Sequence, residues 1–377
     1  MKKLFVVLAM LLAINASAQW QPDARLTNAS GGSYTSSNNA WCIAVNGNVV
    51  HTIWYDDRHG FPNYEIYYKR STDGGISWGV DTRLTNNTAS SHSSSVAVSG
   101  SVVHVLWNDN RDGNYEIYYK RSTDNGITWG TDTRLTNDTA ASELPSIAVS
   151  GSNVHIVWED TRDGNYEIYY KRSTDSGINW GEDTRLTNNT ENSMAPSIAI
   201  SGTFVHFVWY DTRDGNDEIY YKISTDGGIN WEADTRLTNN TNASWLPSIA
   251  VSGSLVHVVW RDDRNGNYEI YYKRNPTGNV GIQNISTETP SKYSLSQNYP
   301  NPFNPTTNIK FSIVNSGDVK LVVYDIQGRE VQTLVNESLK PGTYEAAFDA
   351  SALNSGVYFY KLVTGNFTET KKMLLIK

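Results

Sequence analysis

The sequence predicts an all-β chain: a five-bladed β-propeller closed by its own N-terminal strand, followed by a small immunoglobulin-like β-sandwich. Three observations predict it. The motif Ser-Thr-Asp-x-Gly-Ile-x-Trp recurs four times at 51-residue intervals, as Ser71 to Trp78, Ser122 to Trp129, Ser173 to Trp180 and Ser224 to Trp231. Each surrounding unit breaks into short apolar runs divided by Gly- and Asn-containing turns, with no helical period. Beyond Arg274 the repeat stops and a different texture of strands and turns takes over. A long unit at fixed period marks an array of modules that bury a core only by stacking.

In chain order, Lys2 and Lys3 precede an apolar run from Leu4 to Ile14 and the triplet Ala16-Ser17-Ala18. This is the pattern of a secretory signal peptide over residues 1–18. The run is too short for a membrane anchor, so a mature chain beginning near Gln19 is expected to leave the cytoplasm. A net charge of -8 argues against a nucleic-acid partner. The single cysteine, Cys42, excludes an intrachain disulfide and a cysteine-based zinc cluster. Flanked by Trp41 and Ile43, it reads as a packed strand thiol.

The third unit serves as specimen for the propeller, residues 19–277. Pro145 to Val149 is a first strand, turned by Ser150-Gly151-Ser152 into a second, Val154 to Trp158. The loop Asp160 to Asn165 leads to a third strand, Glu167 to Arg172, and Asp183 to Thr187 makes a fourth. Four strands per unit is the arithmetic of a propeller blade. The second-strand residues Trp54, Trp107, Trp158, Trp209 and Trp260 count five blades. The fifth unit stops at Lys273-Arg274-Asn275 without a fourth strand, whereas Arg25-Leu26-Thr27-Asn28 stands alone near the N-terminus. That segment is therefore expected to complete the fifth blade.

The four motifs resemble the Asp-box (BNR repeat) of sialidase-like propellers, with Ser, Asp, Gly and Trp in register in every copy. The resemblance implies structural turns away from the active site. Asp73, Asp124, Asp175 and Asp226 would bond nearby backbone, and Trp78, Trp129, Trp180 and Trp231 would pack between strands. A sialidase of this kind uses three arginines on one carboxylate, a Tyr/Glu nucleophilic pair and an Asp acid. No residue here matches that constellation, and the family has six blades.

Chemistry is expected on the opposite face. The triplets Asp56/Arg58/Glu65, Asp109/Arg111/Glu116, Asp160/Arg162/Glu167, Asp211/Arg213/Glu218 and Asp262/Arg264/Glu269 recur in every unit. They read as charge-assisted clasps, since a catalytic centre needs different groups in different roles. The column His51, His104, His155, His206 and His257 reads as hydrogen-bonded core rather than a metal ring, and no metal or other cofactor is expected. The units diverge at two places. After the second-strand Trp stand Tyr55, Asn108, Glu159, Tyr210 and Arg261; before the first strand stand Asn39, His92, Glu143, Met194 and Trp245. If a specific ligand binds, Trp245 and Tyr210 are the expected stacking surfaces and Arg261 the anion contact, with Tyr55, His92, Glu143 and Glu159 on the same rim.

Residues 278–291 read as a linker, and residues 292–377 as the sandwich. The segment resembles the type A C-terminal sorting domain of the type IX secretion system through Asn298-Tyr-Pro300-Asn-Pro302-Phe303, Tyr324-Asp-Ile-Gln-Gly328-Arg329, Ser355-Gly356-Val-Tyr358 and the terminal Lys371 to Lys377. The resemblance implies export by that machinery, to the medium or the outer-membrane surface of a Gram-negative bacterium. The expected function is a monomeric propeller that binds extracellular glycans or polymers without chemistry. A sialidase-like exo-glycoside hydrolase and a protein-interaction platform are the alternatives.

Overall fold

The computed structural model describes residues 22–36, 41–252, 255–275, 282–286, 288–350, 353–365 and 367–377. The signal segment lies outside them. Among the described residues every regular element is a strand.

The repeats fold into five successive antiparallel sheets. In the third, Ser142–Ser150, Asn153–Asp160, Glu167–Ser173 and Thr184–Arg185 pair in chain order. Ser150 pairs with Asn153 across a tight turn in which Gly151 adopts φ 59°, the left-handed region that glycine enters without strain. Trp158 is fully buried and stacks its ring on Tyr169 of the next strand, centroids 6.0 Å apart. The first strands are innermost: Ile43, Val96, Ile147, Ile198 and Val251, one from each sheet, line a shared apolar cavity of about 430 Å³.

The core lies between sheets rather than within them. Leu106, Ile117 and Tyr119 of the second sheet pack against Val154, Ile156 and Trp158 of the third. Three further contacts recur at the joints. The Asp-box Trp180 meets Tyr119 of the preceding sheet edge-on at 5.1 Å, so these tryptophans pack between blades, not between strands of one blade. Arg121 donates to the Ser176 carbonyl in the next Asp-box at 3.0 Å. Lys171 reaches back to the Leu135 carbonyl at 2.6 Å.

The expected closure by the N-terminal strand is not what the structure has. The fifth sheet holds three strands, Ser244–Ser252, Leu255–Asp262 and Glu269–Asn275. Ile270 is 74% exposed where Ile117, Ile168 and Ile219 are at 0%. The segment at Arg25 does take the local form of an outer strand, Arg25 Nε donating to the Thr27 carbonyl at 2.8 Å as Arg83 does to Thr85 at 2.8 Å. It is held on the first sheet, where Lys69 Nζ reaches the Leu26 carbonyl as Lys120 reaches Leu84. This is the lysine contact that each sheet makes to the outer strand of the sheet before it. The segment thus stands where a fifth-blade outer strand would meet the first sheet, but among the described residues it does not pair with Glu269–Asn275.

The C-terminal residues form two four-stranded sheets around one core that includes Phe311, Leu321, Phe348 and Leu362. Ile282–Ser286, inside the segment read as linker, is a strand on the edge of one of these sheets, paired with Gly342–Asp349. The residues of the sorting motif hold this sandwich together. Asn298 is buried and donates to the Pro300 carbonyl at 3.1 Å and to Thr307 at 3.0 Å. Pro302 precedes the buried Phe303, whose N–H bonds the Leu374 carbonyl at 3.0 Å. Tyr324 ends a strand, Gly328 (φ 75°) closes the turn from Asp325, and Gly356 pairs with Leu375.

Candidate functional site

The repeated polar loops are structural. In each Asp-box the aspartate caps the turn: Asp175 accepts from the Asn179 N–H at 2.8 Å and from Ser173 Oγ at 2.8 Å. These bonds hold the Asp73 and Asp175 carboxyls down at about 2, well below the usual carboxylate range, and lower Asp124 and Asp226 as well. The arginine clasps form with a different partner than the triplets suggested. Arg162 grips Asp160 through Nε and Nη2 at 2.8 and 2.6 Å and reaches Asp183 beyond the Asp-box at 2.8 Å, while Glu167 pairs with Arg185 at 2.9 Å. In the fifth sheet the clasp is reduced: among the described residues Arg264 pairs with Asp262 alone.

The histidine column bonds within its blades, His51, His104 and His155 each facing a third-strand tyrosine hydroxyl at 2.7 Å. Burial, reinforced by a neighbouring arginine, lowers all three to about 4. Among the described residues no group of three or more His, Cys, Asp or Glu is arranged to hold a metal ion.

The positions where units diverge become cross-strand pairs. His92 stands opposite Asn108, Glu143 opposite Glu159, Met194 opposite Tyr210 and Trp245 opposite Arg261. A bulge follows each first member, and its first residue is left-handed: Ser93 (φ 52°), Leu144 (50°), Ala195 (49°) and Leu246 (47°). Non-glycine residues held there carry strain of about 1–2 kcal/mol each, and bulges re-aim side chains. In the first sheet the partner of Tyr55 is Tyr34, not Asn39, which lies outside the described residues. The intervening loop is longer there than in the other units, so their spacing does not carry over to the first pair.

The pairs make contact around the rim. Tyr55 stacks on Tyr34 with centroids 5.2 Å apart and approaches His92 of the second sheet at 6.0 Å. His92 meets Tyr115 at 5.0 Å. Glu159 is buried and accepts from the Ala195 N–H of the next sheet at 2.8 Å. Burial, with the Glu143 charge beside it, pushes the Glu159 carboxyl up to about 7, and burial raises Glu143 too. Burial and the nearby Glu159 raise Tyr210 to about 12. Arg261 lies over Tyr268 and Trp245, 4.5 and 5.2 Å from their centroids, and its Nε is buried without a hydrogen-bond partner among the described residues. Every clasp arginine, by contrast, faces an aspartate.

A second ring of residues escaped the sequence reading. Tyr64, Tyr115, Tyr166 and Tyr268 precede the third-strand glutamate in four units, and Asp217 takes that place in the other. Trp245 Nε1 donates to Asp217, so the one departure in this column sits beside the bulkiest divergent residue. Aligning the units on that glutamate exposes the column.

These features are those of an Asp-box β-propeller of sialidase-like fold joined to a C-terminal sorting domain of the kind that marks proteins for type IX export. Residues 297–377 match the secretion system C-terminal sorting domain, and residues 222–233 match the BNR/Asp-box repeat. A sialidase of Clostridium perfringens is 28% identical over 212 residues, covering 47% of this chain and 54% of the relative. The chain thus spans about half the length of the curated relative it matches. Solved structures similar to it include the phage phi92 endosialidase (TM-score 0.47, 12% identity, 88% of this chain and 63% of that one). The Trypanosoma rangeli sialidase is another, at TM-score 0.45 and 12% identity over 88% of this chain and 74% of that one.

Proposed function

We propose that the divergent rim binds extracellular glycans or related polymers and that the chain acts outside the cell as a binding protein. One observation carries the reading: Arg261 is a guanidinium cradled by Trp245 and Tyr268, whose rings meet at 5.5 Å, with no acidic partner among the described residues. Aromatic faces and a few fixed polar groups are the usual furniture of a ligand site. The identical loops elsewhere are saturated with their own ion pairs and offer a ligand little.

A screen of the full chain on a glycan array, followed by titration of the hits, tests this. Trp245→Ala combined with Arg261→Ala is expected to weaken binding at least tenfold. Full retention in the double variant removes the assignment.

A second reading, hydrolysis, is favoured by the pair Glu143 and Glu159. A carboxyl raised to about 7 suits a general acid at neutral pH. Turnover of fluorogenic glycosides that disappears in Glu159→Gln supports this alternative; no turnover by the wild type leaves binding alone.

A further inference from the structure

Each joint between successive blades contains a socket for an indole. Trp129 enters against Tyr68 at 4.9 Å, Trp180 against Tyr119 at 5.1 Å and Trp231 against Tyr170 at 5.0 Å, all near-perpendicular. The walls repeat as well: Leu84, Val103 and Val105 surround Trp129. The joint between the fourth and fifth blades has the same walls in Tyr221, Leu237, Val256 and Val258. Among the described residues it holds the second-strand Trp260 but no Asp-box tryptophan. Ile282 holds the place 51 residues after Trp231, and its backbone is committed to the C-terminal sheet opposite Ala346.

Two further observations mark this joint as different rather than merely eroded. Among the described residues, a cavity of about 160 Å³ opens between Tyr221, Thr235, Leu237, Val256 and Val258, with Lys273, Arg274 and Asn275 completing its lining. Roughly 150 Å³ is the volume that takes up one aromatic ring. The arginine that elsewhere holds the next Asp-box loop (Arg70, Arg121 and Arg172, bonding the carbonyls of Asn125, Ser176 and Gly227) is here Ile223. The Asp-box motif and its anchor are both gone, while the aromatic wall remains.

We propose that this joint is a binding site for an indole ring supplied from outside the chain, either as a free indole or as a tryptophan side chain of a partner polypeptide. Three occupied copies in the same molecule define the geometry the ring adopts: edge-on to Tyr221, between Leu237 and Val258. The site is separate from the divergent rim and needs no function assigned to it.

The test is calorimetric titration of the full chain with two probes. One is free indole; the other is the octapeptide Ser-Thr-Asp-Gly-Gly-Ile-Asn-Trp, copied from residues 224–231. One saturable site for either probe, lost in Thr235→Trp, which places a ring in the cavity, is the expected result. Tighter binding of the peptide than of indole identifies a polypeptide partner, and the reverse a small molecule. Absence of binding by both at millimolar concentration, or undiminished binding in folded Thr235→Trp, overturns the proposal. Should that variant fail to fold, intermolecular NOEs from indole protons to the Tyr221 ring of the wild type decide instead: their presence supports the site, and their absence under saturating indole rejects it.

Discussion

Gly177 and Gly75 occupy the same place in two Asp-boxes, yet alanine is expected to cost very different amounts at each. Both are left-handed, at φ 76° and 91°, so either alanine pays about 1–2 kcal/mol for its backbone. A Cβ at Gly177 overlaps Tyr119 Oη and lies 2.7 Å from Tyr119 Cζ. Tyr119 is buried and bonded to His104 at 2.7 Å, so it cannot swing away without abandoning that bond. Overpacking adds about 1–3 kcal/mol and the lost hydrogen bond about 1 kcal/mol. At Gly75 the nearest neighbour is Trp78 at 3.9 Å, an ordinary contact. Gly177→Ala should therefore cost about 3–6 kcal/mol and Gly75→Ala about 1–2 kcal/mol. At about 2 °C per kcal/mol for a domain of this size, the melting temperature falls by about 6–12 °C in one and about 2–4 °C in the other. Circular dichroism melts of the two variants measure the difference. Equal losses would refute the reasoning, because they would mean that Gly75 is packed as tightly as its counterpart.

Two other outcomes follow from the geometry. His51, His104 and His155 are lowered from 6.5 to about 4, so between those values the unfolded chain binds protons that the folded chain does not. Their stabilisation is present above pH 6.5 and is lost as the pH falls toward 4, at up to about 1.4 kcal/mol per histidine per pH unit. Glu159, raised to about 7, acts oppositely, its contribution fading as the pH climbs from 4.5 through 7; melting temperatures flat from pH 6.5 to 4.5 contradict the histidine account. In the sorting domain, Asn298→Ala removes two buried donor bonds, at a cost of about 1–3 kcal/mol. Less of this variant should reach the medium than of wild type, as followed by immunoblot of medium and periplasm; unaltered export with an unaltered melt contradicts a structural role for Asn298.

The strands and turns of each blade were legible because their determinants are local. Gly151 marks a turn that needs positive φ, and Trp158 hydrogen-bonds Asp160 two residues away at 2.9 Å. What escaped was decided across the fold. Arg162 selects Asp183, 21 residues on, over the nearer-looking Glu167, since the outer strand brings Asp183 beside it. Tyr34 faces Tyr55 because a longer loop shifts the first-blade register, which the spacing of the other units hides. The divergent rim was found by comparing units, yet its tyrosine column was missed because four of its five members agree. The polar run Ile282–Ser286 carries no strand alternation, and its strand exists only through pairing with Gly342–Asp349.

The joints between blades all point the same way along the chain. Each of the first three blades offers a tyrosine and an arginine to its successor, which returns a tryptophan, a loop carbonyl and a lysine. Connectors of this kind have a plug and a receptacle of fixed form. Excision or duplication of one whole 51-residue module between the second and fourth blades leaves every remaining connection with its native chemistry. The rim does not share this indifference, because each module carries a different rim pair. Such a scaffold can change its length by recombination while its recognition surface changes one letter at a time.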